Sequence, residues 1–200
     1  MIALLLALAF SRTIGERKFK PFHPKKFRPR FPHPKIPVPE ESNDAYSLVI
    51  PILRYEEGFR SSPYYCSEGY PTIGYGHLCS STRNAPLSTC PSYISQSDAE
   101  RLLSQDVSAK TGSMFQYSNI NAAYNSCTER RKAILISMAF QLGSNGLSKF
   151  VNTLKYVANK DWSRAAEGML DSAWARQTPN RAKRHAEVMR KDSCSTYGWY

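Results

Sequence analysis

An acidic pair, Glu56-Glu57, runs directly into Gly58, and a stretch rich in glycine and aromatics follows, Glu68-Gly69-Tyr70-Pro71-Thr72-Ile73-Gly74-Tyr75-Gly76-His77. A carboxyl group at a helix end and a small hydroxyl on the next strand can face each other across one cleft. Together they can hand a proton to a leaving oxygen and steer a water molecule. Hydrolysis of an acid-labile bond needs both.

The element that carries the carboxyl group is legible in the spacing. Leu48, Ile52 and Tyr55, with Val49 and Leu53 beside them, predict an amphipathic helix over about residues 47–57. Ser47 can cap its start, and Pro51 falls in or near its first turn, where a missing N–H costs least. Glu57 then occupies the last turn. The negative end of the helix dipole and any burial under the following strands both favour a protonated acid there. The same pattern also fits two solvated charges beside a C-cap glycine.

The residues from Glu57-Gly58-Phe59-Arg60 through Tyr64 to His77 resemble, without a gap, the active-site segment of the phage-type lysozymes, a glycoside hydrolase family. Three more blocks are similar to that family and occur in its order. They are Asp98 to Val107, then Met138-Ala139-Phe140-Gln141-Leu142-Gly143 with Gly146 and Phe150, then Trp174 with Gln177-Thr178-Pro179-Asn180-Arg181-Ala182-Lys183-Arg184. The resemblance covers about residues 47–200. It implies an α+β, lysozyme-like fold: a small antiparallel sheet lobe, joined by a long helix to a mainly helical lobe, with the active-site cleft between.

The resemblance also assigns roles. Glu57 becomes the general acid and Thr72 orients the water. Cys66 stands where most of the family carries an aspartate, and would act as a thiolate or a weak acceptor. A structural Cys66 held in a disulfide is the other reading. Arg181 approaches Glu57 as a charge-assisted pair, and Tyr64, Gln141 and Arg181 meet the substrate. His77 and Asp106 match a buried ion pair, and Trp174 supports the cleft or simply packs in the core. The implied substrate is peptidoglycan, cut at the β-1,4 bond between N-acetylmuramic acid and N-acetylglucosamine, without cofactor or metal. No CxxC, HExxH or phosphate-cradling loop is present.

Composition divides the chain into three. Residues 1–10 are a short apolar run with a small-x-small site at Ala7-Leu8-Ala9, read as a signal peptide, possibly truncated, with a retained anchor as the alternative. Residues 11–42 are a basic, proline-rich arm. Between 11 and 40 lie 9 of the 27 Lys and Arg against only Glu16 and Glu40, and seven of the 13 prolines. Such a segment cannot pack a core; it reads as a tether to anionic bacterial surfaces, with Phe19, Phe22, Phe27 and Phe31 adding apolar contact, or as a spacer removed in maturation. It carries no nucleic-acid reading module. Residues 43–200 form the lysozyme-like domain, expected to act as a monomer. Its strand region is expected across 59–80 and its helices near 96–112, 129–142, 149–159, 161–172 and 180–191, with breaks at Gly143, Gly146 and Pro179.

Five cysteines after a leader point to a secreted, oxidised protein with one thiol left over. With Cys66 set aside by the resemblance, the expected bridges are Cys79–Cys90 and Cys127–Cys194; four cysteines admit three pairings. The expected function is antibacterial defence or digestion. A non-catalytic cationic wall binder, a phage endolysin freed from a membrane anchor, a chitinase and a lytic transglycosylase are the competing readings.

Overall fold

Asp44, rather than Ser47, starts the first helix. Its carboxylate accepts hydrogen bonds from the backbone of Tyr46 and Ser47, and these bonds hold it below the usual carboxylate range. A carboxylate can satisfy two orphan N–H groups where a hydroxyl would serve one, and the Ser47 hydroxyl turns back to Asp44 instead. Helix α1 spans Ala45–Glu57 and carries Pro51 in its interior. Ala45, Leu48, Val49, Ile52 and Leu53 are buried, whereas Tyr55 is 44% exposed and lies outside the apolar face. Its ring meets Tyr197 edge-on at 5.4 Å.

The structure is a computed structural model that describes residues 44–198. The apolar leader expected at 1–10 and the basic arm expected at 11–42 lie outside the described residues. Among the described residues no helix is long and apolar enough to cross a membrane.

After α1 the chain forms a three-stranded antiparallel sheet, β1 Arg60–Tyr65, β2 Pro71–Gly74 and β3 His77–Leu78, in that order. Tyr64 pairs with Thr72 and Thr72 with Leu78, so Thr72 sits in the central strand. The Cys79–Cys90 disulfide closes the loop that follows. Helix α2, Gln96–Thr111, is capped by Ser95, whose hydroxyl accepts from the Asp98 N–H. Its buried residues Ala99, Leu103 and Val107 repeat every four positions. Gly74 fits this junction for two reasons: φ is +67°, and a Cβ there would stand 3.0 Å from that of Ala99.

The helical lobe is built on α4, Glu129–Ser148, buried without interruption from Ala133 to Phe140. Helices α3 (Ser118–Asn125), α5 (Val151–Ala158), α6 (Trp162–Leu170), α7 (Ala173–Gln177) and α8 (Pro179–Lys191) complete it. Helices α1, α2 and α8 all pack on α4. Gly143 (φ 72°) breaks α4 as expected, but Gly146 continues helically beside buried Leu147. Pro179 starts α8 instead of merely interrupting the chain, because the first helical position needs no N–H.

One expected bridge is absent. Cys127 and Cys194 are both free thiols, buried, and burial pushes each up to about 11. The tie expected between the start of α4 and the C-terminal region is made without sulfur. Thr128 donates to Asp192 at 2.6 Å, Arg131 pairs with Asp192 at 3.3 Å, and Arg131 Nε donates to the Met189 carbonyl at 2.8 Å. Three polar contacts already fix that junction.

Candidate active site

Glu57 is the last residue of α1, and Gly58, at φ 71°, turns the chain away into β1. The carboxyl group lies where the two lobes meet. On the helical side, Arg181 of α8 donates from Nη1 to Glu57 Oε1 at 2.7 Å. On the sheet side, Oε2 stands 3.8 Å from where a Cβ on Gly76 would be. Gly76 has φ +83°, so the turn between β2 and β3 needs glycine, and its bare backbone lets the turn approach the acid. The Glu57 side chain keeps 26% of its surface open to solvent, while that of Arg181 keeps 7%.

Thr72 stands opposite Tyr64 in the central strand. It is almost entirely covered, and its hydroxyl donates to the Tyr70 carbonyl at 2.9 Å. With its hydrogen so committed, the oxygen can only accept, and an acceptor is what fixes one O–H of a water. Tyr64, across the strand pair, is half-buried with Arg60 4.4 Å over its ring. Burial raises the Tyr64 phenol, Arg60 opposes this, and Glu57 and Cys66 add to it. One phenol therefore feels both Glu57 and Cys66. Cys66 is a free, partly exposed thiol in the turn after β1, where its N–H donates to the Tyr70 carbonyl at 3.0 Å.

Other expected site residues are placed more deeply. Trp174 is buried, with its indole N–H donating to Gln141 Oε1 at 2.7 Å and its ring edge-on to Phe150 and His185. It braces the helical lobe. Gln141, half-buried, accepts the Trp174 indole N–H at its carbonyl and keeps its amide N–H groups for a ligand. Arg181 turns its donors to Glu57 and to Ser137. His77 and Asp106 join β3 to α2 at 3.0–3.1 Å.

That last pair makes stability depend on pH. Asp106 raises the His77 imidazole above its ordinary value of 6.5. A raised folded value means the stabilisation is full below the unfolded value and fades as pH climbs through the folded one. In urea titrations the parent should exceed His77→Asn by about 1 kcal/mol at pH 5.5, a partly exposed pair, with the gap closing on the alkaline side. A gap that widens with pH would contradict this.

Sequence reasoning missed Glu56. Its carboxylate is 3% exposed and forked by Arg184, Nε to Oε1 at 2.9 Å and Nη2 to Oε2 at 2.5 Å. Consecutive helical residues point about 100° apart, so both carboxylates reach arginines of α8, but Glu57 also faces the Gly76 turn while Glu56 is enclosed by Arg184 and Tyr197. Arg181 and Arg184, three apart on one helix face, were the available signal: two cations spaced for two neighbouring acids.

The sequence matches the family model for phage lysozyme over residues 54–191, more than half the chain. The chain belongs to the phage lysozyme family. It is 32% identical over 167 residues to "Probable T4-type lysozyme 1" of Dictyostelium discoideum, covering 76% of this chain and 98% of that one. "Probable T4-type lysozyme 2" of the same organism matches equally well. A part of "Pre-baseplate central spike protein Gp5" of Enterobacteria phage T4, 31% of its length, is 28% identical over 180 residues. As a phage lysozyme family member the chain is a glycoside hydrolase, a lysozyme whose substrate is peptidoglycan.

Proposed function

We propose that the chain hydrolyses the β-1,4 bond between N-acetylmuramic acid and N-acetylglucosamine, with inversion at the anomeric carbon. The observation that carries this is the Glu57 carboxyl at the lobe boundary, held by Arg181 on one face and open to the Gly76 turn on the other. Protonated Glu57 gives its proton to the glycosidic oxygen as the bond to the anomeric carbon breaks. Thr72 accepts a hydrogen bond from the attacking water, and Cys66, as its thiolate, takes the water's departing proton and becomes the thiol. Tyr64 and the Gln141 amide offer a ring face and donors to the sugars.

Release from the cell is part of the same reading. The Cys79–Cys90 bridge suits an oxidising compartment, and the expected leader agrees with it. A net charge of +11 suits an anionic wall, most of it in the basic arm, and fits an antibacterial defence or digestive role.

Digestion of purified peptidoglycan followed by mass spectrometry tests the chemistry. Fragments ending in a reducing N-acetylmuramic acid are expected. Anhydro ends would mean a transglycosylase, reducing N-acetylglucosamine ends a different bond, and an undigested wall that still binds the chain a lectin-like role.

A further inference from the structure

Arg181 holds Glu57 through a single nitrogen, Nη1 to Oε1. A forked Arg–carboxylate contact fixes its own geometry, as Arg184 and Glu56 show next door, whereas a single contact leaves the guanidinium free to pivot. Arg181 Nε is buried and has no partner, so it contributes no second anchor. The remaining anchor is Nη2, which donates to the Ser137 hydroxyl at 3.0 Å and its carbonyl at 3.3 Å. The orientation of the guanidinium that grips the acid thus depends on Ser137.

Ser137 is itself held from behind. His185 Nε2 lies 2.8 Å from the Ser137 hydroxyl, His185 Nδ1 lies 2.8 Å from the Tyr197 hydroxyl, and that hydroxyl lies 2.8 Å from Glu56 Oε1. The chemistry of the end groups, together with a neutral imidazole, orients every hydrogen. Arg181 can only donate, and the Glu56 carboxylate can only accept. Tyr197 therefore gives its hydrogen to Glu56 and accepts from His185 Nδ1–H. The ring's Nε2 accepts from Ser137 O–H, and the Ser137 oxygen accepts from Arg181. This direction requires a neutral imidazole. The ring is fully buried with Glu56, Arg181, Arg184 and Tyr197 around it; burial first, then Arg181 and Arg184, lower it well below its ordinary value.

We propose that His185, acting with Tyr197 through Ser137, is a positioning residue for the proton donor: it locks the Arg181 guanidinium and so sets where the Glu57 carboxyl points. The proposal rests on Glu57 being the general acid. Neither residue touches the cleft. Loss of the relay lets the acid wander by a fraction of an ångström from the glycosidic oxygen, an error that costs rate and leaves sugar binding intact.

The test uses the purified full chain on peptidoglycan, with kcat, KM and thermal midpoint measured for each variant. His185→Phe keeps a ring and its approximate volume but loses both hydrogen bonds. Tyr197→Phe removes one oxygen, and stays informative should His185→Phe fail to fold. Each is expected to lower kcat roughly tenfold with KM within about twofold. The double variant should be no slower than the slower single one, since a relay cut once is already cut. His185→Gln, whose amide oxygen can stand near the Nε2 position and accept from Ser137, should recover most of kcat. Folded variants with a lower thermal midpoint and unchanged kcat overturn the proposal, and so do losses that multiply in the double variant. Glu57→Gln, run alongside, separates the two levels. If it stays active, the acid assignment falls and takes the proposal with it; if it is inactive while His185→Phe and Tyr197→Phe keep full kcat, only the positioning role falls.

Discussion

Glu57→Gln lowers kcat on peptidoglycan by roughly 1,000-fold, the middle of the range for removing a general acid. The amide keeps the volume and can still accept from Arg181 Nη1, so the cleft keeps its shape. The thermal midpoint moves little, because the lost ion pair involves a carboxylate that is partly open to water and is worth no more than about 1 kcal/mol. The loss should therefore appear as rate at constant stability and nearly constant KM, the signature of an interaction made only as the bond breaks. Clearing of a cell-wall suspension at parental rate by purified Glu57→Gln would end the assignment. Cys66 answers to the same assay. Activity retained in Cys66→Asp and lost in Cys66→Ala places the thiol in the path of the water's proton, whereas indifference to Asp, Ser and Ala alike makes it a bystander.

The parts of this fold that could be read directly are those governed by near neighbours in the chain. The apolar spacing from Leu48 to Leu53 defined α1, and the helix expected near 96–112 is α2, because amphipathic faces are local physics. The Glu57–Arg181 and His77–Asp106 contacts were implied by the resemblance to the phage-type lysozymes, not by local spacing. Where choices were close the outcome shifted: Asp44 outcompeted Ser47 as cap because a carboxylate accepts from two N–H groups at once. Helices α3 and α7 went unread because they are short, with Ile120 and Ala123, or Trp174 and Ala175, as their whole buried content. Their stability comes from what they dock against, and no periodicity records that. The Cys127–Cys194 pairing failed for a related reason. Thiol identity carries no distance, and the Asp192 contacts that tie the same region could not be foreseen from spacing. The deepest omission was Glu56, whose role depends on α8 and the C-terminal 3₁₀ turn at Ser195–Tyr197 arriving from far along the chain.

That buried carboxylate is where a single substitution should hurt the fold most. Arg184→Met removes the fork from Glu56 and leaves a carboxylate 3% exposed with only the Tyr197 hydroxyl at hydrogen-bond distance and a neutral His185 at 3.9 Å. Breaking a buried pair from one side costs about 3–5 kcal/mol, since the stranded charge can neither reach water nor find a substitute. For a domain of this size the thermal midpoint should fall by roughly 10 °C. Glu56→Gln should cost much less. The Arg184 side chain is 23% exposed and can lean into solvent, and the amide oxygen still accepts from Tyr197. Combining the two should restore stability relative to Arg184→Met alone, because the double variant no longer buries a charge. Calorimetry on the four proteins gives the coupling directly. A sum of independent losses, or a Glu56→Gln penalty as large as that of Arg184→Met, would mean that packing of the arginine stem, and not the desolvated carboxylate, sets the stability of the α1–α8 junction.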